Sequence, residues 1–155
     1  MITVKKILFP TDFSPCAKHA LTYALSLATL FKAKLYIIHV IPKMNIPISA
    51  GGVMYPTLKI YKDMEENAKK KMHHLIPKRF LDQIEVENII VRGTPYVEIT
   101  KNAKKYNIDI ITIATHGRTG ISHTLIGSVA EKVVRKAPCP VLTIKHPEHE
   151  FVIPA

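Results

Sequence analysis

Short aliphatic runs alternate along this chain with longer stretches in which apolar residues return every three or four positions. Five runs stand out: Ile7-Leu8-Phe9, Leu35 to Val40, Ile89-Ile90-Val91, Ile108 to Ile113, and Val141 to Ile144. Each is continuous or nearly so rather than alternating in and out, as strands covered on both faces require. The stretches between them carry a helical stripe. The first stripe runs from Ala17 through Leu21 and Ala24 to Phe31, and the second from Tyr61 through Met64 and Ala68 to Leu75. The third runs from Tyr96 through Ile99 and Ala103 to Tyr106, and the fourth from Ala130 through Val133 to Ala137. The order β-α-β-α-β-α-β-α-β predicts an α/β fold: an open five-stranded parallel sheet with helices on both faces.

Local chemistry sharpens the boundaries. Ser14-Pro15 and Thr94-Pro95 each set a hydroxyl at an N-cap and a proline at the first helical position. Pro138 stops the fourth helix and Pro140 leads into the last strand. Ile41 to Thr57 holds three prolines and Gly51-Gly52 and is expected as a long loop, either a binding lid or a disordered connection. The 155 residues suffice for one domain, expected over residues 1–146. A tail over 147–155 includes Phe151-Val152-Ile153 and either packs on a partner subunit or frays.

Composition narrows the classes. No apolar run approaches the roughly 18–20 residues needed to cross a bilayer, so no membrane association is expected. Met1 to Lys6 lacks the apolar stretch of a signal peptide. The 2 cysteines, Cys16 and Cys139, form no disulfide framework, and a cytoplasmic setting is expected. A balance of 22 Lys+Arg against 12 Asp+Glu gives a formal charge of +10, which favours anionic partners. The basic runs Lys69-Lys70-Lys71, Lys101/Lys104/Lys105 and Lys132/Arg135/Lys136 occupy polar helix sides with few aromatics among them. Solvated faces explain these runs better than nucleic-acid binding does.

In open parallel sheets, ligands bind beyond the carboxyl ends of the strands, where the strand order reverses. The loops after the first, second and fourth strands are therefore the ones to inspect. The first reads Pro10-Thr11-Asp12-Phe13-Ser14, in which Asp12 either accepts hydrogen bonds from a ligand or serves as a turn aspartate. The fourth strand runs into Ala114-Thr115-His116-Gly117 and Arg118-Thr119-Gly120, with Gly127-Ser128 opening a helix further on. Small residues let backbone N–H groups approach an oxyanion, and the helix start adds partial positive charge. Ser128 adds a hydroxyl and Arg118 a cation; the competing reading is a glycine-bearing loop followed by an ordinary helix cap. No Gly-Lys-Ser/Thr run exists, so this is no Walker A loop, and Pro-Thr-Asp-Phe stands where a dinucleotide fingerprint would begin.

Taken together, these motifs resemble the universal stress protein (UspA) family from Lys5 to about Lys145. The resemblance is carried by Lys-Ile-Leu-Phe-Pro-Thr-Asp-Phe-Ser at 6–14, Ile-Ile-His-Val at 37–40 and Val-Arg-Gly-Thr-Pro at 91–95. Ala-Thr-His-Gly-Arg-Thr-Gly at 114–120, Leu-Ile-Gly-Ser-Val-Ala-Glu-Lys-Val at 125–133 and Ala-Pro-Cys-Pro-Val-Leu at 137–142 complete it. The family's nucleotide-binding branch has a glycine, two residues, a second glycine, nine residues, then glycine with Ser or Thr. Gly117 and Gly127-Ser128 match, whereas Ala114 replaces the first glycine. An alanine there obstructs if φ must be positive or if its methyl meets the phosphates.

The resemblance implies a Rossmann-like, adenine nucleotide alpha hydrolase-like sheet with strand order 3-2-1-4-5 that binds ATP. Asp12 and the main chain around Val40 would then hold adenine and ribose. Gly117, Arg118, Gly127, Ser128 and the Val129 amide would hold the phosphates, with Pro10, Thr11 and Ala114 lining the pocket. Gly93, in the turn after the third strand, is expected to be structural. The resemblance also implies a homodimer through the edge strand Val141–Ile144, an aliphatic edge that itself wants covering.

The remaining candidates divide between chemistry and structure. His116, beside Gly117, would either touch a phosphate or keep a structural hydrogen bond. His39 is expected as a satisfied core or rim residue, and His73-His74 point apart on a helix, against a shared metal site. Cys139 is expected to be packed between prolines, and Cys16, in a first helical turn, has no evident catalytic partner. Phosphoryl transfer needs a metal ligand and a group orienting the nucleophile. Asp12 could hold Mg²⁺ or Mn²⁺ through water, but the three loops offer no second carboxylate. The expectation is a nucleotide-responsive stress switch without catalytic residues. A slow ATPase or self-phosphorylating protein and a dimeric scaffold without nucleotide are the alternatives.

Overall fold

A computed structural model of the chain describes residues 2–44, 55–116 and 126–145. Its order is β1 (Lys6–Pro10), α1 (Pro15–Phe31), β2 (Lys34–Pro42), α2 (Tyr55–His73), α3 (Lys78–Leu81), β3 (Val86–Gly93), α4 (Pro95–Lys105), β4 (Ile110–Ala114), α5 (Ser128–Lys136) and β5 (Val141–Ile144). The strands form one parallel sheet in the order β3-β2-β1-β4-β5, as expected. The chain leaves β1 toward β2 and β3, then crosses back over β1 to β4. Successive exits there turn opposite ways, which opens a crevice between the carboxyl ends of β1 and β4.

Two apolar layers explain why the strands read as unbroken hydrophobic runs. Ile7, Phe9, Leu35 and Ile37 point to one face and pack with Ala17, Ala20, Leu21, Ala24 and Ala28 of α1 and Met72 of α2. Leu8, Tyr36, Ile38, Ile111 and Ile113 point to the other, against Ile99 and Ala103 of α4 and Ala130 and Val133 of α5. β1 is pinned beside β4 from its amino end. Both amides of Lys5 and Lys6 donate to Asp109 Oδ2, at 2.7 and 2.8 Å, and the Asp109 amide donates to the Lys6 carbonyl at 3.0 Å.

Several boundaries differ from the sequence reading for identifiable reasons. The expected loop Ile41 to Thr57 is shorter, because Ile41 and Pro42 continue β2 in register with Arg92 and Gly93, and α2 already begins at Tyr55. Pro56 falls in the first turn of that helix, where a missing N–H is tolerated. Residues 45–54 of that loop lie outside the described residues, as does the tail 147–155. Ile108 belongs to no strand: Asn107 adopts φ 52° and the Ile108 amide donates to the Ala103 carbonyl at 2.9 Å, closing α4. The burial of Ile108 is thus that of a helix-ending residue. The four-residue α3 was not anticipated. Ser14 caps α1 as expected, accepting from the Ala17 amide at 3.2 Å, whereas Thr94 makes no side-chain bond at the start of α4.

Candidate functional site

The β1 exit is held by its own short polar side chains. Pro10 ends the strand opposite Ile38, and the Thr11 amide donates to the Ile38 carbonyl at 2.9 Å. Thr11 Oγ1 accepts from the Phe13 amide at 3.1 Å, and Asp12 Oδ1 accepts from the Ser14 amide at 3.0 Å. These bonds hold Phe13 at φ 63°, a left-handed conformation that costs a non-glycine residue about 1–2 kcal/mol. Asp12 therefore does the work of a turn aspartate. An ionised carboxylate has about four acceptor positions, so this bond is compatible with further acceptance.

His39 braces the same loop from β2. Its Nδ1 donates to the Thr11 carbonyl at 2.8 Å, and its ring lies 4.6 Å from that of Phe13. His39 is thus the satisfied rim residue expected of it. Val40, next along β2, is buried toward α4 and pairs with Val91 of β3.

The β4 exit meets the start of α5. Ala114 ends β4 opposite Ile144, and the Thr115 amide donates to the Ile144 carbonyl at 2.9 Å. Ala114 is not among the residues with positive φ, so its backbone does not ask for glycine. The Thr115 carbonyl accepts from the Gly127 amide at 2.6 Å, which seats the helix start against the strand end. A Cβ on Gly127 would fall 2.9 Å from that carbonyl oxygen. Gly127 itself has ordinary extended dihedrals of −67° and 153°, so the glycine serves close approach rather than unusual rotation.

Beyond this contact, Gly127 caps α5 without a side chain, and Ser128 and Val129 are its first helical residues. First-turn amides have no acceptor within a helix and carry its partial positive charge. Ser128 is exposed and Val129 half-buried. Glu131, also in the first turn, is held by Arg135 at 3.0 Å.

Counting on from the Leu8–Ile111 pair sets Thr11 level with Ala114 and Asp12 level with Thr115. Neighbouring strands lie about 4.8 Å apart. Pro10, Thr11, Asp12, Ala114, Gly127, Ser128 and Val129 thus gather at one point of the sheet, with Val40 one strand further out. His116 is buried beside them, its Nδ1 3.0 Å from Thr115 Oγ1. Gly117 and Arg118 lie outside the described residues. No group of three or more His, Cys, Asp or Glu side chains is disposed to hold a metal among the described residues. The rings of His73 and His74 lie 5.0 Å apart, edge to face, rather than diverging. Cys139 is half-buried, and burial followed by the Asp109 charge pushes its thiol up from the usual range.

Two features of the site escaped the sequence. The left-handed Phe13 had no signal, since a bulky aromatic is among the residues least expected at positive φ. The role of the Thr115 carbonyl belongs to the backbone, and only the small residue at 127 hinted at it.

The family model for the universal stress protein family matches residues 3–145. The Methanocaldococcus jannaschii universal stress protein MJ0577 is 34% identical over 158 residues, covering 93% of this chain and 96% of its own length. The MJ0577 structure superimposes with TM-score 0.83 at 36% identity over 94% of this chain and 98% of that one. Universal stress protein UspA from Lactobacillus plantarum follows at TM-score 0.79 and 26% identity, covering 93% and 99%. The universal stress protein from Archaeoglobus fulgidus in complex with dAMP shares the fold at TM-score 0.57 and 23% identity, covering 94% and 100%.

Proposed function

We propose that this chain, which belongs to the universal stress protein family, binds ATP at the carboxyl ends of β1 and β4 and acts as a nucleotide-responsive switch. The observation that carries the reading is the seating of α5. Its first turn is anchored by the Gly127–Thr115 bond of 2.6 Å, one strand away from the Asp12 loop. Phosphates take the Ser128 hydroxyl and the amides of Ser128 and Val129, together with Gly117, Arg118 and His116. The adenosine end lies toward Asp12, Pro10, Thr11 and the Val40 main chain. An adenine nucleotide is held by this fold in the dAMP complex of the Archaeoglobus fulgidus protein, which supports the ligand class. The strand conformation of Ala114 supports binding despite the missing glycine.

Mg²⁺ or Mn²⁺ accompanies the phosphates, with Asp12 the carboxylate at the β1 exit to hold it through water. The other carboxylate near the α5 start among the described residues, Glu131, is engaged by Arg135, so turnover is slow or absent, and the bound state rather than a product is the signal. A second copy covers the β5 edge, Val141–Ile144, to give a cytoplasmic homodimer. No helix among the described residues is long and apolar enough to cross a membrane.

Calorimetry of the full chain with ATP and Mg²⁺ tests the reading. Saturable heat is expected, weakened about tenfold in Ser128→Ala through loss of one charge-assisted hydrogen bond. Absence of heat at high protein concentration would favour the scaffold instead. Release of γ-labelled phosphate, or label on Ser128, would favour the enzyme.

A further inference from the structure

A groove of about 930 Å³ runs between α1 and the α2–α3 segment, on the face of the sheet away from α4 and α5. It is separate from the crevice of the candidate site, although Phe13 lines one end of it. Its floor is apolar: Leu21 and Leu25 of α1, with Leu75 and Phe80 from the opposite wall, all in or against one core cluster. Its lip is cationic: Lys18, Lys70, Lys71 and Arg79. None of the lining residues is acidic.

The cations are not spread evenly. Lys71 reaches the end that Phe13 lines, and Lys18 lies in the first turn of α1, five residues beyond Phe13 in the chain. The Lys71 Nζ lies 5.4 Å from the Phe13 ring centre, and the Arg79 guanidinium lies 5.0 Å from that of Phe80 at the far end. Between the two ends, the α1 wall from Lys18 to Ser26 extends about 12 Å. The polar groups on this wall are modest, and the Ser26 hydroxyl already donates to the Thr22 carbonyl at 2.8 Å.

An apolar trough with a cationic lip and no acidic lining residue matches a molecule with a single anionic head and an aliphatic tail. We propose that the groove is a binding site for a medium-chain fatty acid, its carboxylate at the Phe13 end by Lys71 and Lys18 and its chain along Leu21 and Leu25 toward Phe80. The volume lies within the range of small-molecule sites, about 300–1,000 Å³. The inference does not rest on nucleotide binding.

Methyl spectra of the full chain titrated with decanoate, in the absence of nucleotide, test it. Saturable shifts are expected at the methyls of Leu21, Leu25 and Leu75. Decanol, with the same chain and no charge, should bind at least tenfold more weakly, and acetate should leave these methyls unmoved. Lys18→Glu/Lys71→Glu should lose at least tenfold in affinity for decanoate. Ser26→Trp, an exposed position on the groove wall, should abolish the shifts while the unfolding transition is retained. The proposal is overturned if decanoate gives no saturable shift, if decanol binds as tightly in the unmutated protein, or if the charge-reversed variant binds decanoate unchanged.

Discussion

Gly127 and Gly93 pose a contrast that distance alone gets backwards. A Cβ at position 93 would lie 2.6 Å from Glu98 Cγ, and one at position 127 would lie 2.9 Å from the Thr115 carbonyl oxygen. The nearer obstacle is the flexible part of a half-buried side chain, which can swing aside. The farther one is backbone, fixed at the end of β4 by the Thr115–Ile144 bond of 2.9 Å. Gly127→Ala must therefore push α5 away from the sheet. Overpacking of this kind costs about 1–3 kcal/mol, and loosening the Gly127–Thr115 hydrogen bond adds about 1 kcal/mol. The alanine restricts the unfolded chain and returns about 0.4–1 kcal/mol. The net loss is about 2 kcal/mol, or about 4–8 °C in Tm for a chain of this size. Gly93→Ala should stay within about 0.5 kcal/mol of the parent, its small steric cost offset by the same unfolded-state gain. Urea denaturation of both variants, with Tm measured alongside, checks the order. Equal stabilities for Gly127→Ala and the parent, or a greater loss for Gly93→Ala, would refute the close-approach argument.

Three further outcomes follow from other parts of the fold. Lys32 ends α1 at φ 51°, a position where glycine carries no left-handed penalty, so Lys32→Gly should raise stability by about 0.5–1 kcal/mol in thermal unfolding. Thr112 is fully buried and its hydroxyl has no hydrogen-bond partner among the described residues; Thr112→Val should gain about 1 kcal/mol, measured by urea denaturation. Glu65 is held below its ordinary value of 4.5 by hydrogen bonds from Lys69 and then Arg92. A depressed folded-state pKa means stability that is present above 4.5 and drains away as pH falls through the folded value. Glu65→Gln should flatten the pH dependence of Tm in that acid range and lower Tm slightly at neutral pH, the loss kept small because solvent screens these pairs.

The sheet was legible because its central strands are buried on both faces, so Leu35 to Val40 announces itself without tertiary knowledge, and the half-buried edge Val141 to Ile144 is still wholly aliphatic but for Thr143. The strand order came from the family resemblance, since periodicity says nothing about which strand neighbours which. Reading failed where burial and extension part company. Ile108 is as apolar as its neighbours in β4 but is buried by a left-handed turn at Asn107, and Ile41-Pro42 extend β2 although proline suggested its end. At the site, Gly127 was legible as a close approach, but the neighbour that requires it is the Thr115 carbonyl just beyond β4. Asp12 illustrates a different limit: the turn bond to Ser14 and a ligand bond call for the same residue. The groove between α1 and α2 was invisible because Lys18 and Lys71 are remote in sequence and line one groove only through the packing of α2 beside α1.

Amide spectra of the full chain titrated with ATP and Mg²⁺ address the pairing of the two strand exits most directly. The expected result is a single saturable transition in which Asp12 and Phe13 move together with Ser128 and Val129. Shifts confined to one of these segments, to the α1–α2 groove, or absent altogether would contradict a nucleotide lying across β1 and β4.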